Sequence, residues 1–473
     1  PKPPPYVPSQ WAKLPWGERI KLASQAWATQ GYGTPPVIYL AYCLKVVLYI
    51  GVWCWFCGFT PGLGTPENIL DWCFEPIAFQ KAVLWSMAFE GLGLGCASGP
   101  LTGRYLPPLG GCLYFLRTGT TKLPLFPGIP VVGRGTRSVF DVGLYIVYYG
   151  FLFRALMAPE ISTELLLPVV VGLPLLGVLD KTLFLASRGE HYYVTTVCFL
   201  FANDLIAGAV AVQLAIWLWA AFSKLTHHFP AVVSVMTSNS PITPWAELRK
   251  RMYRKYPDDL RASRLAYAVA HMGTLVEFCF PVLLVLGDGG FTSIVGLFLM
   301  VGMHCYITGN VPMAVPIEWN VHVVYGGFFL FWAHAGTQPF SIQSPLLATF
   351  LLFCLILVPL MGNLWPHRVS FLLSMRYYAG NWAYGVWLFR KAEETHLKLE
   401  THLTAPSKWT PNQLARFYDD ETVTALFSKV QAFRAMHLHG RALQILLPEA
   451  VDDFEAYEYA DGEIIAGLVL GWN

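Results

Sequence analysis

The chain has 473 residues and a mass of 52.8 kDa, with 55% hydrophobic residues, 13% charged residues, 41 Gly, 34 Pro and a formal net charge of +2. An average soluble domain carries about 25% charged residues, so this composition leaves too little polar surface to wrap a water-soluble globule. It also excludes disorder, a small disulfide scaffold and, for want of a basic stripe, a nucleic-acid partner.

What remains is an all-α polytopic membrane protein, a bundle of about 8–10 transmembrane helices with a small cytoplasmic α+β appendage. The first 35 residues are polar and Pro-rich, without the basic-then-apolar start of a cleavable signal. A crossing helix needs about 20 apolar residues. Spans are predicted at 37–59, at 78–100 (weakened by Lys81 and Glu90), at 138–158 and at 161–186. The apolar run 191–225 would separate its ends by about 50 Å as one straight helix. It is read as two tight helices with Asn203 and Asp204 at the bend. Further spans follow at 263–286, 290–309, 312–334 and 345–366, and the amphipathic stretch 369–389 is placed in the membrane interface. Trp53, Trp55, Trp319, Trp332, Trp365, Tyr377 and Tyr378, near segment ends, suit an aromatic belt.

Lys and Arg set the orientation. Residues 1–36 and the connection 101–137 are basic, while 60–77 carries Glu67, Asp71 and Glu75 and no base. The connection 226–262 holds Arg249, Lys250, Arg251, Arg254, Lys255 and Arg261. The N-terminus and this basic connection therefore read as cytoplasmic, in a bacterial inner membrane. Beyond 390 the chain turns charged: Thr410-Pro411 opens a predicted helix running to 447, and Asp461-Gly462 joins two alternating runs, 454–460 and 463–470, as a β-hairpin. Three regions result: 1–135, with two spans and a basic loop; the bundle 136–390; and the appendage 391–473.

Ten cysteines lie mostly in apolar stretches, where Cys behaves as a small hydrophobe. Cys54-x-x-Cys57 sits inside the first span; a membrane-embedded redox pair is the alternative, and zinc lacks a second ligand pair nearby. No metal site is predicted.

Ionisable residues in spans are functional candidates by default. Asp180-Lys181-Thr182 closes one span and Glu190-His191-Tyr192 opens the next. Lys224 ends 191–225, Glu277 lies mid-span, His304 is near the end of 290–309, and Glu318, Asn320 and His322 lie on 312–334. Each has a structural reading: Lys224 snorkelling to headgroups, Asp180 pairing with Lys181, Glu277 with His271, and each histidine simply hydrogen-bonded. With the hairpin, however, His191, Lys224 and His304 fall at one end of the bundle. A poorly hydrated lysine there becomes a usable base, and an imidazole can hold or pass the proton.

The pieces Leu179-Asp180-Lys181-Thr182, His191-Tyr192, Gln213 through Lys224-Leu225, Gly273-Thr-Leu-Val-Glu277 and Met303-His304-Cys305 stand in order over 136–335. This stretch resembles the transmembrane domain of the vitamin K-dependent γ-carboxylase family, also called the horizontally transferred transmembrane (HTTM) family, and a bacterial membrane-protein family with the same core. The resemblance implies that Lys224 deprotonates a reduced, vitamin K-like quinone, with His191 and His304 as partners. Asp180, Glu190, Tyr192, Trp217 and Glu277 are expected around the substrate. Glu190 replaces the family's asparagine, Ser223 replaces one lysine of a pair, and the large β-rich extramembrane domain has no counterpart. Carboxylation of protein glutamate is therefore not expected.

Two functions follow. One is an integral-membrane enzyme acting on a quinone-like or isoprenoid lipid. The other is a non-catalytic subunit that binds lipid or cofactor, with membrane lipids as partners and a protein partner docking through 391–473 and 247–264. A transporter is disfavoured because no inverted repeat is visible.

Overall fold

The computed structural model describes residues 7–95, 110–365, 386–390, 419–436 and 453–461, apart from 12, 34, 35, 121, 131, 226, 228, 242, 244 and 311–316. The chain is mostly helical. Its apolar helices are α2 (Pro36–Cys57), α3 (Pro76–Gly91), α4 (Val139–Leu156), α5 (Thr163–Leu179), α6 (Lys181–Ala186), α7 (Val194–Cys198), α8 (Leu205–Ser223), α9 (Phe229–Asn239), α11 (Arg264–Leu286), α12 (Phe291–Asn310), α13 (Ile317–Phe328) and α14 (Pro345–Leu364). Among the described residues, α4, α8, α11, α12 and α14 are long and apolar enough to cross a bilayer. The chain is an integral membrane protein.

The second span is shorter than expected, because α3 ends at Gly91. Its 16 residues reach about 24 Å, less than the roughly 30 Å of a bilayer core. It has no need to face lipid: every residue from Ala78 to Gly91 is buried, Lys81 and Glu90 included. This central helix packs on α2, α4 and α13, with Phe79 stacked on Phe329 at 4.3 Å. Lys81 Nζ donates to the Phe56 carbonyl at 2.8 Å. Cys54 and Cys57 are buried and free in the same core.

The span expected at 161–186 breaks at Asp180. Its carboxylate accepts from Thr182 N and Thr182 Oγ1, at 3.0 and 2.6 Å, which is how an N-cap starts the next helix. The pairing expected between Asp180 and Lys181 is corrected: Asp180 binds Arg137, and it also accepts from Leu123 N at 3.1 Å. Lys122 pairs with Asp141 at 2.6 Å. Two cations of the basic 101–137 connection are thus tied into the fold.

The run 191–225 does bend, at 199–204, into a π-helical turn (Gly189–Tyr193) with α7 on one side and α8 on the other. Asp204 fixes the bend by accepting from Gln343 N and Ser344 N, each at 2.8 Å. The aromatic belt needs correction at two positions. Trp53 is buried against Trp72 and Tyr325, and Trp319 is turned toward His191, whereas Trp55, Trp332 and Trp365 are exposed. Tyr377 and Tyr378 lie outside the described residues.

Distant segments build a second, more polar layer. α1 (Trp16–Gln30) packs on α9, on α10 (Ala246–Arg251), on β2 (Asp259–Ala262) and on α15 (Asp420–Met436). Trp27 Nε1 donates to Val235 O at 3.0 Å while its ring meets Phe433 at 5.3 Å, and Lys429 Nζ donates to Tyr32 O at 3.1 Å. β1 (Tyr253–Lys255) and β2 form a small antiparallel hairpin. The predicted C-terminal helix is described over Asp420–Met436. The residues 386–390 are a strand, β3 (Val386–Arg390), rather than an interfacial helix, and it pairs antiparallel with β4 (Tyr457–Asp461). A main-chain ladder gives the alternating run in β4 a partner from elsewhere in the chain. The predicted second hairpin arm, 463–470, lies outside the described residues.

Candidate functional site

Lys224 follows the last turn of α8, where a cation suits the free carbonyls. Its ammonium binds the Glu277 carboxylate directly, and both residues are buried. This corrects the expected partner of Glu277, since His271 lies on the exposed face of α11. Glu277 sits 13 residues beyond Arg264, the first of α11, or about 20 Å along the axis. The pair therefore joins the C-terminal end of α8 to the middle of α11. Lys224 Nζ also stands 5.9 Å from the Phe229 ring centroid.

His304 is buried beside this pair. Trp217 Nε1 donates to His304 Nε2 at 3.2 Å. The ring nitrogen that accepts carries no proton, so the proton is on Nδ1, which donates to Asn320 Oδ1 at 2.6 Å. His304 is thereby held as a neutral imidazole in one tautomer. Trp217 packs edge-on against Phe280 at 4.9 Å. Gly327 permits this closeness of α13: a Cβ there would lie 2.3 Å from Met300 Sδ and 3.6 Å from the Trp217 ring.

α13 is the hub, because four of its residues reach four different elements. Asn320 meets His304 on α12. Trp319 Nε1 donates to His191 Nδ1 at 3.2 Å on the π-helical turn. His322 Nδ1 lies 3.0 Å from Ser86 Oγ on α3, which also contacts Tyr49 Oη at 2.5 Å. Ser86 gives its own proton to Ala82 O, so it accepts from His322. Glu318 Oε1 pairs with Lys45 of α2 at 2.8 Å, and its Oε2 has no hydrogen-bond partner among the described residues. The Trp319 ring stands between the histidines, 6.4 Å from His191 and 6.1 Å from His304.

On the His191 side, the imidazole stacks on Tyr192 at 4.7 Å and meets His322 at 5.5 Å. Arg188 adopts a left-handed backbone, φ 48°, a conformation kept only where surroundings fix it. Its guanidinium pairs with buried Glu90 at 2.6 Å and lies 5.5 Å from the Trp319 ring. Wide π-helical turns of this kind recur at functional sites.

The structure thus brings Lys224, Glu277, His304 and Trp217 into one group, and His191 and Tyr192 into an adjoining group through Trp319. Glu190 is buried on the π-helical turn next to His191. Asp180 stands apart, in its clamp with Arg137, Leu123 and Thr182, and no contact among the described residues links it to Lys224. The network also takes in Glu318, Asn320 and His322, which the sequence marks as candidates in their span without a role, together with Trp319, Arg188 and Glu90. The polar residues at 318, 320 and 322 in an apolar span were the signal for three of these. Nothing local marks Arg188 or Glu90 as neighbours 98 residues apart. Among the described residues, no group of three or more His, Cys, Asp or Glu is placed to hold a metal.

Apolar helices of spanning length, closed around a buried network of ion pairs and imidazoles, define a polytopic transmembrane protein with a polar interior. The family model for transmembrane protein of unknown function (DUF3556) matches residues 1–473, and the chain belongs to that family. No curated protein and no solved structure matches the chain.

Proposed function

We propose that the protein is an integral-membrane enzyme that takes a proton from a reduced quinone-like or other isoprenoid lipid. It would sit in a bacterial inner membrane with its N-terminus in the cytoplasm. The observation that carries this reading is the buried Lys224–Glu277 pair, with a neutral His304 within reach of the Lys224 charge, inside helices whose outer faces are apolar. The resemblance of 136–335 to the γ-carboxylase family points to Lys224 at the proton-abstraction site; because Lys224 is already paired with Glu277, the accepting role passes here to the pair.

In this reading the base is the pair rather than the amine alone. As ammonium and carboxylate the pair holds one shared proton. A hydroxyl placed against it gives up its proton to the Glu277 carboxylate, and the Lys224 ammonium faces the oxyanion that remains. Removing water from such a site strengthens that attraction. His304, fixed by Trp217 and Asn320, supplies a rigid polar group, and His191 and His322, 5.5 Å apart, continue the buried polar network beyond Trp319. Carboxylation of protein glutamate is not part of this reading.

The test is oxidation of a reduced naphthoquinone by the reconstituted full chain in air, above the protein-free rate, with dissolved dioxygen taking the two electrons once the hydroxyl proton has passed to the pair. Lys224→Met should remove that turnover while the variant still folds; full turnover in the variant overturns the reading. A second reading has its own support, because Glu277 already neutralises the Lys224 ammonium, as a binding or structural pair would. A non-catalytic subunit would bind the lipid with no turnover at all. Mass spectrometry of lipid extracted from purified protein, together with the turnover assay, separates the two.

A further inference from the structure

We propose that the basic hairpin preceding α11 is a binding site for one anionic phospholipid, with Arg254 and Arg264 holding the phosphate and the outer face of α11 carrying an acyl chain. This inference is independent of the Lys224–Glu277 pair. Residues 245–267 contain seven Lys or Arg against three carboxylates. Most of these cations are committed. Arg249 is buried and donates to the carbonyls of Thr29, Ser240 and Thr243. Lys250 pairs with Glu247 at 2.6 Å, Lys255 with Asp258 at 3.8 Å and Arg261 with Asp259 at 2.6 Å. The Arg261 hydrogen bonds hold the Asp259 carboxyl down at about 2, with a smaller contribution from Arg254, so that acid stays ionised and paired with Arg261.

Arg254 and Arg264 form no salt bridge among the described residues, and both are exposed. Arg254 spends only Nε, on Ala262 O at 3.3 Å. Arg254 and Arg264 line a partly open cavity of about 400 Å³, completed by Ala262, Ser263 and Tyr267. Arginine's planar fork suits phosphate oxygens, and Tyr267 adds a ring at the same edge.

The cavity's place in the fold selects a lipid over a free ion. Arg264 is the first residue of α11, a helix of spanning length, so the cavity lies at headgroup level. Directly beyond it, Leu265, Val269, Met272 and Leu275 are exposed on α11. That apolar strip runs about 16 Å from the arginine, the direction an acyl chain takes from its headgroup. Basic pockets at the ends of transmembrane helices are where anionic headgroups bind.

The experiment uses the full chain, purified and delipidated in detergent, and follows thermal unfolding against added phosphatidylglycerol, phosphatidylcholine or inorganic phosphate. Phosphatidylglycerol should raise Tm in a saturable way, and the other two should not. In the Arg254→Gln/Arg264→Gln variant the apparent affinity should fall about 25-fold, at about fivefold per charge. Both side chains are exposed, so the variant keeps its core; the single variants, each expected to lose about fivefold, serve as a second measurement. Equal stabilisation by phosphate would show an anion site without a lipid, and equal stabilisation by phosphatidylcholine would show detergent replacement only. Either result, or an unchanged affinity in the variants, overturns the proposal.

Discussion

Two buried ion-pair regions of this protein differ in a way that separates scaffolding from chemistry. In the first, Asp180 accepts from Arg137, Leu123 N, Thr182 N and Thr182 Oγ1, and neighbouring Asp141 accepts from Lys122, Ser138 N and Ser138 Oγ. Every carboxylate oxygen there is spent on fixing a loop to helix starts. In the second, among the described residues, Glu277 has Lys224 as its one hydrogen-bond partner and accepts from no backbone amide. A buried charge with several donors is stabilised where it stands. A buried carboxylate with one partner keeps the capacity to accept a proton.

Substitutions at the two regions should therefore fail in different ways. The largest effect is expected on turnover: Lys224→Met should lower it by about 10²–10⁴-fold, the usual contribution of acid–base groups, in the reduced-quinone assay. The joint change Lys224→Met/Glu277→Leu removes both charges at once, so its Tm should stay near that of the parent while turnover is still lost. Next, Asp180→Ala leaves Arg137 buried without its carboxylate, and stability should fall by about 3–5 kcal/mol, read as a drop in Tm, with turnover per folded molecule retained. Third, Asn320→Ala releases His304 Nδ1 and should cost turnover about tenfold, the size of one strong hydrogen bond, with a smaller change in Tm. Last, Trp319→Phe keeps a ring beside Arg188 but removes the donor to His191; about 0.5–1.5 kcal/mol of stability should be lost. If Asp180→Ala and Lys224→Met gave the same pattern of lost Tm and lost specific turnover, the distinction between the two regions would collapse.

Much of this arrangement was readable in the residues. The helix bounds at 37–59 and 263–286 follow from apolar length alone, and the bend at Asn203-Asp204 follows from the excess length of 191–225. That bend also leads to the expectation that His191, Lys224 and His304 meet at one end of the bundle; Lys224 instead takes Glu277 as its partner, and Trp319 stands between the two histidines. Other features needed three dimensions. Asp180 beside Lys181 looked like a local pair, but the side chain turns back to Arg137 because it must cap α6. Glu277 and His271 face different sides of α11, so the nearer candidate in sequence was the wrong partner. Trp319 resembled a belt residue, yet a lone indole N–H reaching an imidazole carries no signature in the chain. The packing of α1 on α15 joins segments about 400 residues apart, and neither segment is apolar enough to announce it.

The most direct test of the central claim is the rate of reduced-naphthoquinone oxidation in air, with dioxygen as the electron acceptor, by reconstituted parent protein and by Lys224→Met/Glu277→Leu at matched Tm. The proton-accepting role assigned to the pair predicts consumption above the protein-free rate for the parent and none above it for the variant. Equal consumption by the two proteins would contradict it.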